Sequence, residues 1–393
     1  MLLSIALILL SGMAIAALFK KIGLPHIIGM LIVGILLGPH CLNLLDENIM
    51  LISADLRQIA LIIILLKAGL SLDINVLKKV GRPAFLLCFV PATCEIIAYL
   101  LIGPKLLGVS LLEAGLIGAV MGAVSPAVVI PAMSRLMDNK WGTEKGIPQM
   151  IIAGASADDV YVIVVFTTML SMVAGGKAKA SDFVGVPISI VLGICLGIVS
   201  GLLLVLFFKK VHMRDTVKVL ILLSVSFLFV SLENALEGIV PVSGLLAVMA
   251  MGITIYNRYE KLAKRVMSKF NKLWVAAEVF LFVLVGSIVN VEYALSAGLA
   301  MIIALFIGLF FRMIGVRLCL IKTKLNSGEK LFCMIAETPK ATVQAAIGGV
   351  ALSMGLPVGE LVLTIAVVAI LISAPLGAFG IEHSYRKLLK HED

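Results

Sequence analysis

Charge is scarce in this chain. Asp, Glu, Lys and Arg make up 14% of its 393 residues and aromatic residues only 6%, against 61% hydrophobic residues and a mean hydropathy of +1.15. A soluble protein of this length needs far more polar surface to cover its core. The polar segments between the apolar runs are too short to fold as an extramembrane domain, and no glycine-rich phosphate loop interrupts them. The six cysteines (Cys41, Cys88, Cys94, Cys195, Cys319 and Cys333) lack metal-ligand spacing and a secreted disulfide pattern, and read as small core residues. These shortages exclude a soluble enzyme, a nucleic-acid-binding module and a disordered chain, and no cofactor is expected.

What the chain does have is long apolar runs, of the roughly 20 residues needed to cross a bilayer core. Read against charged and Pro/Gly breaks, they predict an all-α polytopic membrane protein with thirteen transmembrane helices. The expected spans are 2–19, 24–38, 53–71, 84–104, 111–137, 145–174, 183–208, 216–232, 237–256, 272–290, 294–321, 329–354 and 358–380. Met1-Leu2-Leu3-Ser4 has no basic n-region and no convincing cleavage site, so the first run is expected to be retained as a span. Loop charge supplies a separate check, because cytoplasmic loops collect Lys and Arg. With the N-terminus outside and the C-terminus cytoplasmic, only Lys105, Lys177 and Lys179 of the 32 basic residues fall in outside loops, and Arg57, Lys67, Arg312 and Lys340 fall within spans. The rest alternate correctly, including Lys78, Lys79, Arg82 and the cluster from Arg258 to Lys272. Cytoplasmic loop bias thus accounts for the net charge of +9 without an acidic partner.

Ionisable residues within hydrocarbon are costly and usually face a protein interior or a water-filled cavity. The sixth span carries Ala155-Ser156-Ala157-Asp158-Asp159-Val160, two adjacent carboxylates with no basic residue within a helical turn. The bland reading is a buried ion pair with distant cations. The functional reading is a shared site for a proton and a hard cation, because two simultaneous negative charges at mid-membrane repel each other and lack solvent. Adjacent residues point about 100° apart on a helix, so one is expected to ligate the ion while the other tunes or shares the proton.

The fifth span reads Gly122-Ala123-Val124-Ser125-Pro126-Ala127-Val128-Val129-Ile130-Pro131, and the twelfth Ile335-Ala336-Glu337-Thr338-Pro339-Lys340-Ala341-Thr342-Val343-Gln344. Pro126 and Pro339 each free backbone carbonyls at membrane depth, which is tolerated only where the backbone is packed in protein or lines a cavity. The two spans lie seven apart and so run in opposite directions. Interrupted helices at matching places in oppositely oriented halves predict an inverted-repeat secondary transporter with a midplane site. We expect a single transporter unit over 1–393, with core repeats at 84–174 and 294–380 and the remaining helices as dimerisation bundle and linkers. Ser125 and Thr338 align at the two breaks, and their hydroxyls join Asp158 and Asp159 as the expected cation and proton site.

Lys340, beside the second break, is placed to compensate exposed carbonyl ends; direct proton carriage is the competing role. Glu95 and Arg312 sit mid-span in the fourth and eleventh helices, again seven apart, and are expected to form a buried ion pair. Lys67 is near a span end and can snorkel. Glu278 has an open choice between snorkelling and lining an access funnel, and Glu337 between pairing with Lys340 and facing the cavity.

The chain resembles the cation:proton antiporter superfamily, most closely its NHA-type sodium/proton exchanger branch. Four stretches carry the match: Lys21 to Gly29 running to Pro39, Gly122 to Pro131, Lys145-Gly146-Ile147-Pro148 with Ala155 to Asp159, and Pro339 to Gly348. The resemblance implies a homodimer in a cell membrane whose core bundle moves against a dimerisation bundle, with Na+ held at Asp159 and Asp158. It also implies that Asp159 is the main cation ligand, Asp158 a companion tied to electrogenic exchange, and Arg312 and Lys340 the family's basic residues of those helices. Na+ (or Li+) exchange for H+ is the expected activity. A K+/H+ antiporter or another ion-coupled solute transporter on the same fold is the alternative. An intramembrane aspartyl protease needs its aspartates on facing helices, and a channel would show filter repeats or charged rings; neither pattern is present.

Overall fold

A computed structural model of the chain describes residues 1–72, 81–175, 180–236 and 242–392. Lys78, Lys79, Lys177, Lys179 and the first residues of the expected ninth span, 237–241, lie outside the described residues. The regular structure of the described chain is helical, joined by turns and loops, with one isolated antiparallel bridge between Trp141 and His391. Nine helices among the described residues are long and apolar enough to cross a membrane, and this is a multi-pass membrane protein. These nine match nine of the thirteen expected spans. The other four fall short for separate reasons. α2 (His26–Leu37) is short, and α4 (Ser53–Ser71) carries Asp55, Arg57 and Lys67. The ninth is described only as Gly244–Arg258, and the twelfth is interrupted. Helices α1 (Leu2–Lys21) and α3 (Glu47–Leu51) complete the first part of the chain.

The chain divides into two compact units. The first comprises 1–57, 76–162 and 279–393. It holds α5 (Arg82–Leu87) and α6 (Val90–Leu106), then α7 (Leu111–Met121) and α8 (Pro126–Asp138). The first half of α9 (Ile147–Ala174), through residue 162, also belongs to it. The second comprises 58–75 and 163–278 and holds α10 (Ala180–Lys210), α11 (Asp215–Ala235) and α12 (Gly244–Arg258). α13 (Glu260–Ser287) begins there and ends in the first unit, where α14 (Val291–Cys319), α15 (Ser327–Ala336), α16 (Thr342–Gly348), α17 (Val350–Ser353) and α18 (Gly359–Leu388) follow.

In the first unit the same construction occurs twice. Ser110 starts α7 with a capping box, its hydroxyl accepting from the Glu113 N–H while the Glu113 carboxylate accepts from the Ser110 N–H. Asn326 starts α15 in the same way with Glu329. Glu329 also receives Lys145 Nζ at 2.8 Å, from the loop before α9. Each capped half-helix then breaks, at 122–125 and at 337–341, and a new helix begins at Pro126 in the first case and at Thr342, three residues after Pro339, in the second. α14 packs along α6, while α15 and α16 lie on α18.

The basic cluster from Arg258 to Lys272 was expected to be a loop, and this is corrected: residues 260–271 form the first three turns of α13. Leu262, Ala263, Val266 and Phe270 recur at helical spacing and are fully buried, and Glu260 pairs with Lys264 one turn on. Lys67 lies over the Trp274 ring, 5.1 Å from its centroid, in the second unit.

Glycines set the contact between α10 and α12. A Cβ on Gly193 would lie 2.5 Å from the Ser243 carbonyl oxygen, and one on Gly197 would lie 2.4 Å from that of Ala247. The four-residue spacing brings the two backbones together as in small-residue membrane helix pairs. Gly197→Ala is therefore expected to cost about 1–3 kcal/mol by overpacking. Gly298→Ala, where a Cβ meets nothing within 4 Å, should leave the melting temperature unchanged. Thermal melting of the two variants in detergent tests this, and equal melting temperatures would refute it.

Candidate functional site

The first break leaves the carbonyls at the end of α7 without helical partners. Side chains from the other repeat take them one by one. Gln344 Nε2 donates to the Ala123 carbonyl at 2.9 Å and the Val120 carbonyl at 3.2 Å, Lys340 Nζ to that of Met121 at 2.6 Å, and Arg312 Nη1 to that of Gly122. The second break is tied back in return. The Ser125 N–H donates to the Pro339 carbonyl at 2.8 Å, Arg312 Nε to the Glu337 carbonyl, and the Lys340 N–H to Ser373 Oγ at 3.0 Å. The Ala341 N–H donates to Gln344 Oε1 at 2.8 Å.

Two cations at the breaks draw in carboxylates. Arg312 contacts Glu95 Oε2 at 3.3 Å, Asp158 Oδ2 at 2.9 Å and Glu337 Oε2 at 3.1 Å, while Lys340 Nζ meets Glu95 Oε2 at 2.6 Å. All five side chains are fully buried. The structure thus brings Glu95 and Arg312 together, but as part of a five-residue network rather than as an isolated pair. Glu337 meets Arg312; pairing with Lys340, one of the two roles the sequence left open for it, is not among its ion pairs.

The network divides the aspartate pair. Asp158 is engaged through Oδ2, which also accepts from the Val124 N–H at 2.9 Å, while its Oδ1 makes no hydrogen bond among the described residues. Asp159 forms no ion pair among the described residues, and its buried Oδ1 has no hydrogen-bond partner there either. Ser125 Oγ at the first break is buried and likewise unpartnered, whereas the Thr338 hydroxyl donates back to the Ile335 carbonyl at 2.8 Å. Pro126 opens α8, and Pro339 sits between the two ties just described. Among the described residues no group of three or more His, Cys, Asp or Glu is arranged to hold a metal ion. What remains, among the described residues, is a buried carboxylate without a counter-ion, with unpartnered oxygens at the adjacent Asp158 and at Ser125 of the first break. Such oxygens suit a proton or a hard cation.

Sequence reasoning missed Gln344 and Ser373 as ties across the breaks. An amide inside the otherwise apolar run Thr342 to Gly348 was the available signal for Gln344; nothing in the spacing marked Ser373.

Broken helices of two oppositely running repeats, clamped by buried charges around a carboxylate left unpaired, define a membrane transporter of the inverted-repeat kind. A family model described as sodium/hydrogen exchanger, transmembrane, matches residues 5–384. The chain belongs to that family. It is 32% identical to human sodium/hydrogen exchanger 9B2 over 374 residues, 90% of this chain and 68% of the relative. Against mouse 9B2 the identity is 31% over 371 residues, 90% of this chain and 66% of the relative, so the chain spans about two thirds of these proteins' length. Among solved structures, the sodium proton antiporter MjNhaP1 from Methanocaldococcus jannaschii shares the fold with a TM-score of 0.85 at 22% identity, over 98% of this chain and 97% of that one.

The connectivity gives an expected order of damage. Arg312→Gln removes the ion-pair partner of Asp158 and Glu337 and one of the two partners of Glu95, and should destabilise by about 3–5 kcal/mol, more than Glu95→Gln, which leaves Arg312 two partners. Adding Glu95→Gln to Arg312→Gln should cost less than Glu95→Gln does in the wild type. Additive losses in a thermal-melt cycle would show that the two side chains act separately.

Proposed function

We propose that the chain is a secondary active antiporter exchanging Na+, or Li+, for H+ by alternating access. Proton and cation compete at Asp159. The observation that carries this reading is the unpaired, buried Asp159 beside a network that holds Asp158 through Oδ2 alone. On this reading Asp159 Oδ1 is the main ligand, joined by Asp158 Oδ1, Ser125 Oγ and the Thr338 oxygen. Arg312 cannot readily release a proton, so it fixes Asp158 rather than carrying protons, and Lys340 compensates the first break. Relatives named sodium/hydrogen exchanger support Na+ as the substrate. The proposal extends to a homodimer in the inner membrane, N-terminus outside and C-terminus cytoplasmic. Its moving core would be the repeats at 84–174 and 294–380.

Asp159→Asn should fold with a wild-type-like melting temperature yet abolish cation-driven proton release from proteoliposomes. Sodium, lithium and potassium are tested in turn. An undiminished response to any of them in the variant would sink the site, and a wild-type response to potassium alone would change the substrate.

Competition also fixes a sign for pH. Below the titration of the aspartate pair the site holds a proton that sodium must displace, so apparent sodium KM should rise by up to about tenfold per unit fall in pH for one competing proton. Above it the site is already ionised and KM should level off. A KM independent of pH across the active range would require separate proton and cation sites.

A further inference from the structure

Arg57 is buried, lies in α4, and takes no part in the network of Arg312 and Lys340. Its Nε donates to the Ser53 carbonyl one turn back, at 3.2 Å. Among the described residues no acidic side chain lies within ion-pair distance of it. The rest of the guanidinium is aimed at Gly349, where a Cβ would lie 2.0 Å from Nη1. Gly349 separates α16 from α17, and its φ of −89° and ψ of −3° are open to any residue. Backbone conformation therefore does not call for glycine at this position. The end of the Arg57 guanidinium occupies the space that a Cβ would take.

The place is one where a cation is useful. The carbonyl end of a helix carries partial negative charge and leaves acceptors unsatisfied. α16 is seven residues, so its two ends are only about 10 Å apart. At one end Gln344 and the adjoining Lys340 hold the carbonyls of the first break; at the other stands Arg57. We propose that Arg57 is a positioning residue for transport, its guanidinium bracing the end of α16 at Gly349 and so holding Gln344 and Lys340 in register with the first break.

This rests on the antiport reading above, and the test separates the two. Full-length wild type, Arg57→Ala, Arg57→Lys, Gly349→Ala and the double variant Arg57→Ala/Gly349→Ala are compared by thermal melting and by sodium-dependent proton flux in proteoliposomes. Arg57 touches none of the cation-facing oxygens. Arg57→Ala should therefore lower the maximal rate about tenfold while changing sodium KM less than about twofold. Arg57→Lys should restore only part of the rate, because an ammonium lacks the planar fork. Gly349→Ala should lower both rate and melting temperature, and the double variant should lose less than the sum of the singles because the new methyl then fills the space the guanidinium left.

A wild-type Gly349→Ala, additive losses, or an Arg57→Ala that raises KM at unchanged maximal rate would each overturn the proposal. Should Arg57→Ala fail to fold, Arg57→Lys/Gly349→Ala reads the same coupling. The melting cycle needs no transport, so it stands even if Asp159→Asn stays active and the antiport site fails. Conversely, an inactive Asp159→Asn with additive melting losses defeats the brace alone.

Discussion

A helix interrupted inside a bilayer exposes carbonyls where no water can reach them, and each one left alone costs several kcal/mol. Most of what is unusual in this chain follows from that. The break at 122–125 needs donors, and Gln344, Lys340 and Arg312 supply them from the opposite repeat. Two of those donors are cations, which cannot sit in hydrocarbon uncompensated. Glu95, Asp158 and Glu337 answer them. Asp159, one residue along the helix and turned away by its pitch, is the carboxylate to which this chain of compensation does not extend. A site for an exchangeable ion is then the remainder of a structural problem already solved, and the same contacts that stabilise the fold leave that one charge available.

The breaks, the aspartate pair and the two buried charges Glu95 and Arg312 were all legible because each violates the composition of its surroundings. Which partner meets which was not. Arg312 stands 154 residues from Asp158 and 25 from Glu337 in the chain, and periodicity within one helix carries no information about distance between helices. Glu337 and Lys340 illustrate the limit sharply. A separation of three favours contact only on a continuous helix, and the break at 337–341 removes the helix between them.

Charge counting and periodicity also pulled apart at residues 260–271. The dense Lys and Arg suggested a loop, while Leu262, Ala263, Val266 and Phe270 form an apolar stripe that the fold buries. The stripe prevailed because the basic side chains need only one face of the helix, and burial of the other drives the ordering. In the second unit the tight glycine contacts of α10 with α12 were invisible to hydropathy, since glycine counts for almost nothing on such scales yet decides how near two backbones come.

Glu329 performs two tasks with one carboxylate: it closes the capping box that starts α15, and it holds Lys145 from the loop preceding α9. The beginning of α15 is consequently fixed both within its own turn and to the loop before α9. Its far end, at Ala336, opens straight into the break. There Arg312 takes the Glu337 carbonyl and Ser125 the Pro339 carbonyl, so the one short helix is held at its start by the loop that introduces the aspartate helix and at its end by the first break. The two halves of the site are thus joined twice, at the buried Glu329 as well as at the network of Arg312 and Lys340.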